Sequence, residues 1–247
     1  MSSIKPRETH NGIKFFAITW SAVWGLTIII LLLAVAVKFI FFQQVTVVGS
    51  SMVPNYQDGQ LLLVNQVDKA YHRGQVMAVY ADRDVAKSAT ESDAITNYMA
   101  RFSARFFLKR IIALPGEEIE IVGSKIIIYN DMYPNGGVLQ EDYIPQSTVS
   151  SEEARNYYYP RTKIADKFYF VMGDNRSNST DSRSKTLGTI PEYSLFGQEA
   201  VRFWPASTLD FFKLPAYKYN PIDSTLKARR DKLISLNSET QFSNVSI

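Results

Sequence analysis

The chain has no cysteine at all and only two histidines in 247 residues. The first absence excludes a disulfide framework and a thiolate nucleophile, although it does not reveal the compartment. The second nearly empties the catalytic menu. No His-x-x-x-His pair exists to hold zinc, and no cysteine could complete such a site. A Ser-His-Asp arrangement would have to use His72, because His10 precedes a long apolar run. No Gly-rich phosphate loop is present either, so no nucleotide cofactor is expected. The formal charge of +3 is small for this length, and its basic and acidic residues are interspersed, which argues against nucleic acid as a partner. With 46% hydrophobic residues the chain can bury a sizeable core.

The long apolar run is the first positive feature. Between Lys14 and Lys38 there are 23 uncharged residues. As a helix they extend about 35 Å, enough to cross a hydrocarbon layer of about 30 Å. The pattern predicts one transmembrane helix over 15–42, with Phe15, Phe16, Trp20, Phe39, Phe41 and Phe42 near its two ends. Lys5, Arg7 and Lys14 outnumber Glu8 ahead of it, so residues 1–14 are expected in the cytoplasm and the remainder outside, single-pass across the plasma membrane. Ala34-Val35-Ala36 resembles a signal cleavage site, but the run exceeds a signal h-region and that tripeptide would sit inside the bilayer.

Beyond the run, Val45–Val48 leads into Gly49-Ser50-Ser51-Met52-Val53-Pro54. Residues 61–67 and 75–81 read as strands, 82–97 as a loop or short surface helix, and 104–131 as further strands around the turn Pro115-Gly116. Residues 132–165 read as loop-rich, with Tyr157–Tyr159 either a binding patch or packing. A strand at 168–172 ends in Gly173-Asp174-Asn175-Arg176, and 194–204 closes the β pattern. The stretch 213–247 is a polar tail, flexible or weakly helical, or else in contact with anionic lipid. The fold class is therefore mainly β, an antiparallel-sheet domain over 43–212 preceded by one transmembrane helix.

Lys109 stands in the near-continuous apolar run from Phe106 to Leu114. Pattern alone leaves it facing water on an edge strand, snorkelling, or buried. Burial would make it useful. At its ordinary pKa about 0.04% of a lysine amine is neutral at pH 7, and only the neutral form accepts a serine proton. Moving that pKa to near 7 takes about 4 to 5 kcal/mol of preference against the ammonium, which apolar surroundings can supply. A serine and lysine pair is a known variant of the triad logic.

Ser51-Met52-x-Pro54, the run from Lys109 to Gly116, and the stretch from Gly173 to Arg183 resemble, in order, three signature segments of bacterial type I signal peptidases. The resemblance covers about residues 15–205 and is closer to the Gram-positive type. It implies a membrane-anchored serine endopeptidase that removes signal peptides from exported preproteins and cuts after small residues. On that resemblance Ser51 is the nucleophile and Lys109 the general base. Ser179 hydrogen-bonds and orients the lysine, Asp181 and Arg183 form a supporting ion pair, and Gly173 lets the backbone pass close. The Ser51 amide donates to the oxyanion, and Gly49 stands where some members carry a second hydroxyl donor. Ser50 is a speculative replacement, and Met52 a pocket wall, a membrane-proximal contact or filler. Arg110 and Asp174 are read as structural. No metal or cofactor is implied; membrane lipid and the secretion translocon are candidate partners beside the signal peptides. The alternative is a non-catalytic membrane-anchored accessory protein of the same fold.

Overall fold

The computed structural model describes residues 10–91, 104–145 and 152–243. Part of the polar stretch after residue 82, residues 92–103, lies outside them, as does 1–9. The chain forms two compact units, Met1–Gln43 and Gln44–Ile247. The first holds helix α1, His10–Phe41. Its described side chains, Trp20 to Val35 and Phe41, are almost all exposed and show no polar face. Among the described residues, no helix is long and apolar enough to cross a membrane.

The second unit is built on two antiparallel sheets. The larger uses β1 (Phe42–Thr46), β2 (Leu61–Asn65), β3 (Val76–Tyr80), β4 (Phe106–Ala113), β9 (Phe168–Met172), β10 (Ile190–Pro191), β11 (Leu195–Trp204) and β12 (Asp210–Phe211). Their order is β1-β2-β11-β3-β4-β9-β10, with β12 paired to β11. The smaller has β5 (Glu118–Val122), β6 (Lys125–Tyr129), β7 (Gly137–Gln140), β8 (Tyr158–Lys163) and β13 (Lys218–Pro221), in the order β13-β7-β6-β5-β8. The chain leaves the larger sheet at Pro115-Gly116 and returns at Ile164. There Gly116 N–H donates to Ile164 O at 3.0 Å and Ile164 N–H to Glu117 O at 2.8 Å.

Strand β4 is apolar apart from Lys109 and Arg110, and from Leu108 onward both its faces are covered. Ile111 packs with Met77, Val79 and Val171 on one side. Ile112 joins Phe170 and Met172 against Ile119, Ile121, Ile126 and Ile128 of the smaller sheet. The alternation along an extended chain thus carries two cores on one strand.

Two expectations need correction. The loop-rich stretch contains β7 and β8, and its tyrosines pack: Tyr159 meets Phe170 edge-on at 5.3 Å, and Tyr157 lies against the same core. The polar tail is also part of the fold. β13 pairs with β7, and a helix over Ser224–Ser243 starts where the Asp223 carboxylate accepts the Leu226 N–H at 2.7 Å. Leu226 and Leu233, two turns apart, bury against Val122, Ile127, Tyr129 and Val138. Two apolar residues on a helix that is otherwise mostly polar are too faint a stripe to detect without the sheet they cover. Residues 82–91 fulfil the surface-helix reading as α2, Arg83–Glu91.

Candidate active site

The Ser51 loop is shaped by its own short contacts. Gly49 has φ +82, a conformation open to glycine, and its N–H donates to the Asp58 carboxylate at 2.7 Å. Val53 N–H reaches Ser50 O at 3.2 Å and Tyr56 N–H reaches Met52 O at 3.0 Å, curling the chain so that Met52 turns inward. Met52 is 1% exposed and packs with Val47, Tyr56, Leu62, Val76 and Leu108. It fills the underside of the loop, which corrects the reading of it as a membrane-proximal contact.

The segment after β9 straps this loop from the other side. Asn175 donates its N–H to Ser51 O at 3.0 Å and its side-chain amide to Ser50 O at 3.1 Å. Asn178 donates to the Ser50 hydroxyl at 3.0 Å, so that oxygen already serves as an acceptor. Gly173 passes directly beneath. A Cβ there would lie 2.3 Å from Ser179 Oγ and 2.4 Å from Ser51 O, so no larger residue fits without moving the serine backbone.

Lys109 comes from the strand facing these loops. β4 lies between β3 and β9, and Lys109 is 2% exposed, so it neither faces water on an edge nor snorkels. Its Nζ lies 2.9 Å from Ser51 Oγ. Burial pulls its pKa down from 10.5 to about 8, with Asp181 and Asp174 opposing the drop and Arg183 reinforcing it. At neutral pH roughly a tenth of such an amine is unprotonated, against well below a thousandth of an exposed one. The pairing of β4 with β9 begins at Arg110 opposite Met172, whereas its pairing with β3 extends back to Phe106. Among the described residues, the β9 side of Phe106–Lys109 therefore has no strand partner.

Behind the pair, Asp181 is fully buried and Arg183 holds both its oxygens, each at 2.8 Å. Burial raises the Asp181 pKa, but Arg183 and the Gly173 N–H outweigh it, and the carboxyl stays below its ordinary range. The Arg183 guanidinium also donates to Arg176 O at 2.7 Å, closing the loop from 173 to 183. Ser179 sits across Gly173 from Ser51, yet its buried Oγ meets no partner at hydrogen-bond geometry, so the expected bond to Lys109 is not formed. Arg110 grips Asp174 at 2.8 and 2.6 Å, and Asn55 donates to the same carboxylate at 2.8 Å. That arrangement ties the strand of Lys109 to the loop of Ser51. His72 is exposed on the turn before β3.

Sequence reasoning passed over Asn55, Asn175 and Asn178 as positioning groups. The two later asparagines lie inside the third motif and could have been questioned there. It also passed over Glu199, whose buried carboxylate accepts a hydrogen bond from the Tyr56 hydroxyl across 143 positions of sequence. No local pattern marks that pair.

A family model described as signal peptidase, peptidase S26, matches residues 20–204. A probable signal peptidase I-1 of Synechocystis is 32% identical over 182 residues, covering 74% of this chain and 81% of the relative. Signal peptidase I U of Bacillus subtilis is 30% identical over 72% of this chain and 84% of its own, and a signal peptidase I of Bacillus amyloliquefaciens 31% over 74% and 84%. With the family model covering most of its length and these relatives aligned over most of theirs, the chain belongs to the peptidase S26 signal peptidase family.

Proposed function

We propose that this chain is a membrane-anchored endopeptidase that removes signal peptides from exported preproteins, with Ser51 as nucleophile and Lys109 as general base. The single observation that carries the reading is the 2.9 Å approach of a buried lysine, its pKa drawn down to about 8, to a half-buried serine hydroxyl. The neutral amine accepts the Ser51 proton as Oγ attacks the carbonyl carbon before the scissile bond. As that carbon–nitrogen bond breaks, the lysine returns the proton to the leaving amine, and the acyl group remains as an ester on Ser51. Lys109 then takes a proton from water as its oxygen attacks the ester carbon, and when the carbon–Oγ bond breaks the lysine returns that proton to Ser51 Oγ. The Ser51 N–H, which has no acceptor among the described residues, is the first oxyanion donor; Gly49 supplies no second one from a side chain.

The substrate lies as an extended strand between residues near 47–53 and 104–109, where β4 has no strand partner on one side among the described residues. Exposed Val48 and Phe107 flank that path and favour small side chains before the cut. Ser179, Asp181, Arg183 and Gly173 support the two reacting groups. Residues 15–42 serve as the anchor, on the strength of the 23 uncharged residues and the basic flank of 1–14, with the catalytic unit outside the plasma membrane. Membrane lipid and the secretion translocon are then its partners beside the signal peptides. A non-catalytic accessory role is the less economical reading, because both Ser51 and Lys109 are retained.

Cleavage of a preprotein in detergent by wild type, Ser51→Ala, Lys109→Ala and Lys109→Arg tests this. All three variants should be inactive, the last because a guanidinium does not lose its proton near pH 7. Wild-type rates in Ser51→Ala would overturn the mechanism.

A further inference from the structure

We propose that Tyr56 and Glu199 are positioning residues for the Ser51 loop, and that protonation of Glu199 loosens that loop, adding a second proton dependence to the reaction besides that of Lys109. The inference rests on the Ser51 and Lys109 reading of the site.

The geometry begins under the serine. Tyr56 ends the turn that starts at Ser51, its N–H bonded to Met52 O at 3.0 Å. Its ring packs against Met52, which follows the nucleophile, and Leu108, which precedes the base. A displacement of this ring therefore reaches both reacting groups through directly bonded neighbours. The ring is held at its far end by the hydroxyl, which donates to Glu199 Oε2. Glu199 stands on β11 opposite Val64, at the irregularity between Glu199 and Val201, and is 5% exposed. Among the described residues its carboxylate accepts no other hydrogen bond. A buried carboxyl resting on one phenol is an arrangement in which the bond changes character with charge: charge-assisted when ionised, ordinary when neutral.

The charged and titratable groups around the pair come from every side. Arg202 of the same strand places its guanidinium 5.3 Å from the Tyr56 ring centre and donates to Asn55 O at 2.6 Å. Arg110 of β4 attracts the ionised carboxylate, Asp210 of β12 repels it, and Asp174 acts on the phenol. Burial dominates and pushes the Glu199 carboxyl up to about 7, while the Tyr56 hydroxyl is raised well above its ordinary value and stays a donor. Near neutrality Glu199 therefore changes charge within the range where the enzyme works. Arg202 and Glu199 hold consecutive residues of the loop, Asn55 and Tyr56, from one strand, so losing the carboxylate weakens the half of that grip that bears on the ring.

The test is kinetic and structural on the full chain in detergent. Profiles of kcat and KM against pH from 5.5 to 9.5 are taken on a preprotein-derived peptide for wild type and Glu199→Gln, each normalised to its own value at pH 9. Glutamine still accepts the phenol hydrogen but does not titrate. Below pH 7 wild-type kcat should fall more steeply than one proton allows, and the variant with a single proton. At pH 6 the normalised variant should exceed wild type by up to about tenfold. Tyr56→Phe should lower kcat at pH 9 by about tenfold with little change in KM, as expected for a misplaced nucleophile. In Ser51→Ala protein, amide exchange across residues 50–56, corrected for intrinsic rates, should quicken as pH drops through about 7. This last readout needs no activity, so it separates failure of this proposal from failure of the Ser51 and Lys109 mechanism. Superimposable profiles would overturn the inference, as would exchange that ignores pH. If Glu199→Gln does not fold, Tyr56→Phe with wild-type kcat has the same force.

Discussion

Replacing Lys109 by methionine should abolish cleavage and make the protein more stable at neutral pH. Burial carries the lysine pKa from 10.5 to about 8. That displacement is worth about 3 kcal/mol, stored against folding whenever the amine is charged. Between pH 8 and 10.5 the unfolded chain keeps the proton and the folded chain releases it, so this group makes wild-type stability rise with pH across that window. Below about pH 8 the folded protein carries the whole penalty. Methionine has a similar stem, does not titrate, and removes the penalty while leaving little cavity. The stability difference, variant minus wild type, should be largest at pH 7 and below and shrink by about 3 kcal/mol as pH rises to 10.5. Urea unfolding of both proteins at a series of pH values, followed by fluorescence, measures it. Groups common to both proteins cancel in the difference. A difference that does not vary with pH, or a wild type more stable than the variant at pH 7, would refute the claim that desolvation activates this lysine.

Gly173→Ala should destroy activity and cost about 1 to 3 kcal/mol in the same unfolding assay, because its Cβ would meet Ser51 O at 2.4 Å, and backbone cannot step aside as a flexible side chain does. Asp181→Asn should destabilise the protein by about 2 kcal/mol at pH 7, since Arg183 loses its countercharge. Because the Asp181 pKa is lowered from 3.8 in the folded protein, its contribution is present above that value and fades as pH falls through the folded pKa, so the two proteins should converge in acid. Leu233→Ala should cost about 2 to 3 kcal/mol, measured by thermal or urea unfolding, because this side chain of the C-terminal helix is buried against the smaller sheet. A dispensable tail would show no change.

The reading of Lys109 illustrates what a sequence can and cannot supply. An apolar run interrupted by a lysine is visible in the chain, but water, a membrane surface or a core could each receive it. Only its burial in the folded unit, paired to β3 on one side and with Ser51 folded over its end, excludes the first two. Ser179 shows the reverse: its motif places it near the site, while among the described residues its buried oxygen makes no hydrogen bond to Lys109. The tail was misjudged for a different reason. Leu226 and Leu233 have meaning only against Val122 and Ile127, and those partners lie a hundred residues earlier.

By itself the sequence determined the β-rich class, the apolar N-terminal run, the poverty of histidine and cysteine that left a lysine as the candidate base, and the three motifs with their order. Those features reside in residue type and short spacing, which survive without a fold. The tertiary structure decided which groups touch: the 2.9 Å approach of Lys109 to Ser51, the passage of Gly173 beneath the serine carbonyl, and the Tyr56 hydroxyl on Glu199. Burial and distance are properties of segments brought together from far apart, and the pKa of a lysine depends on both.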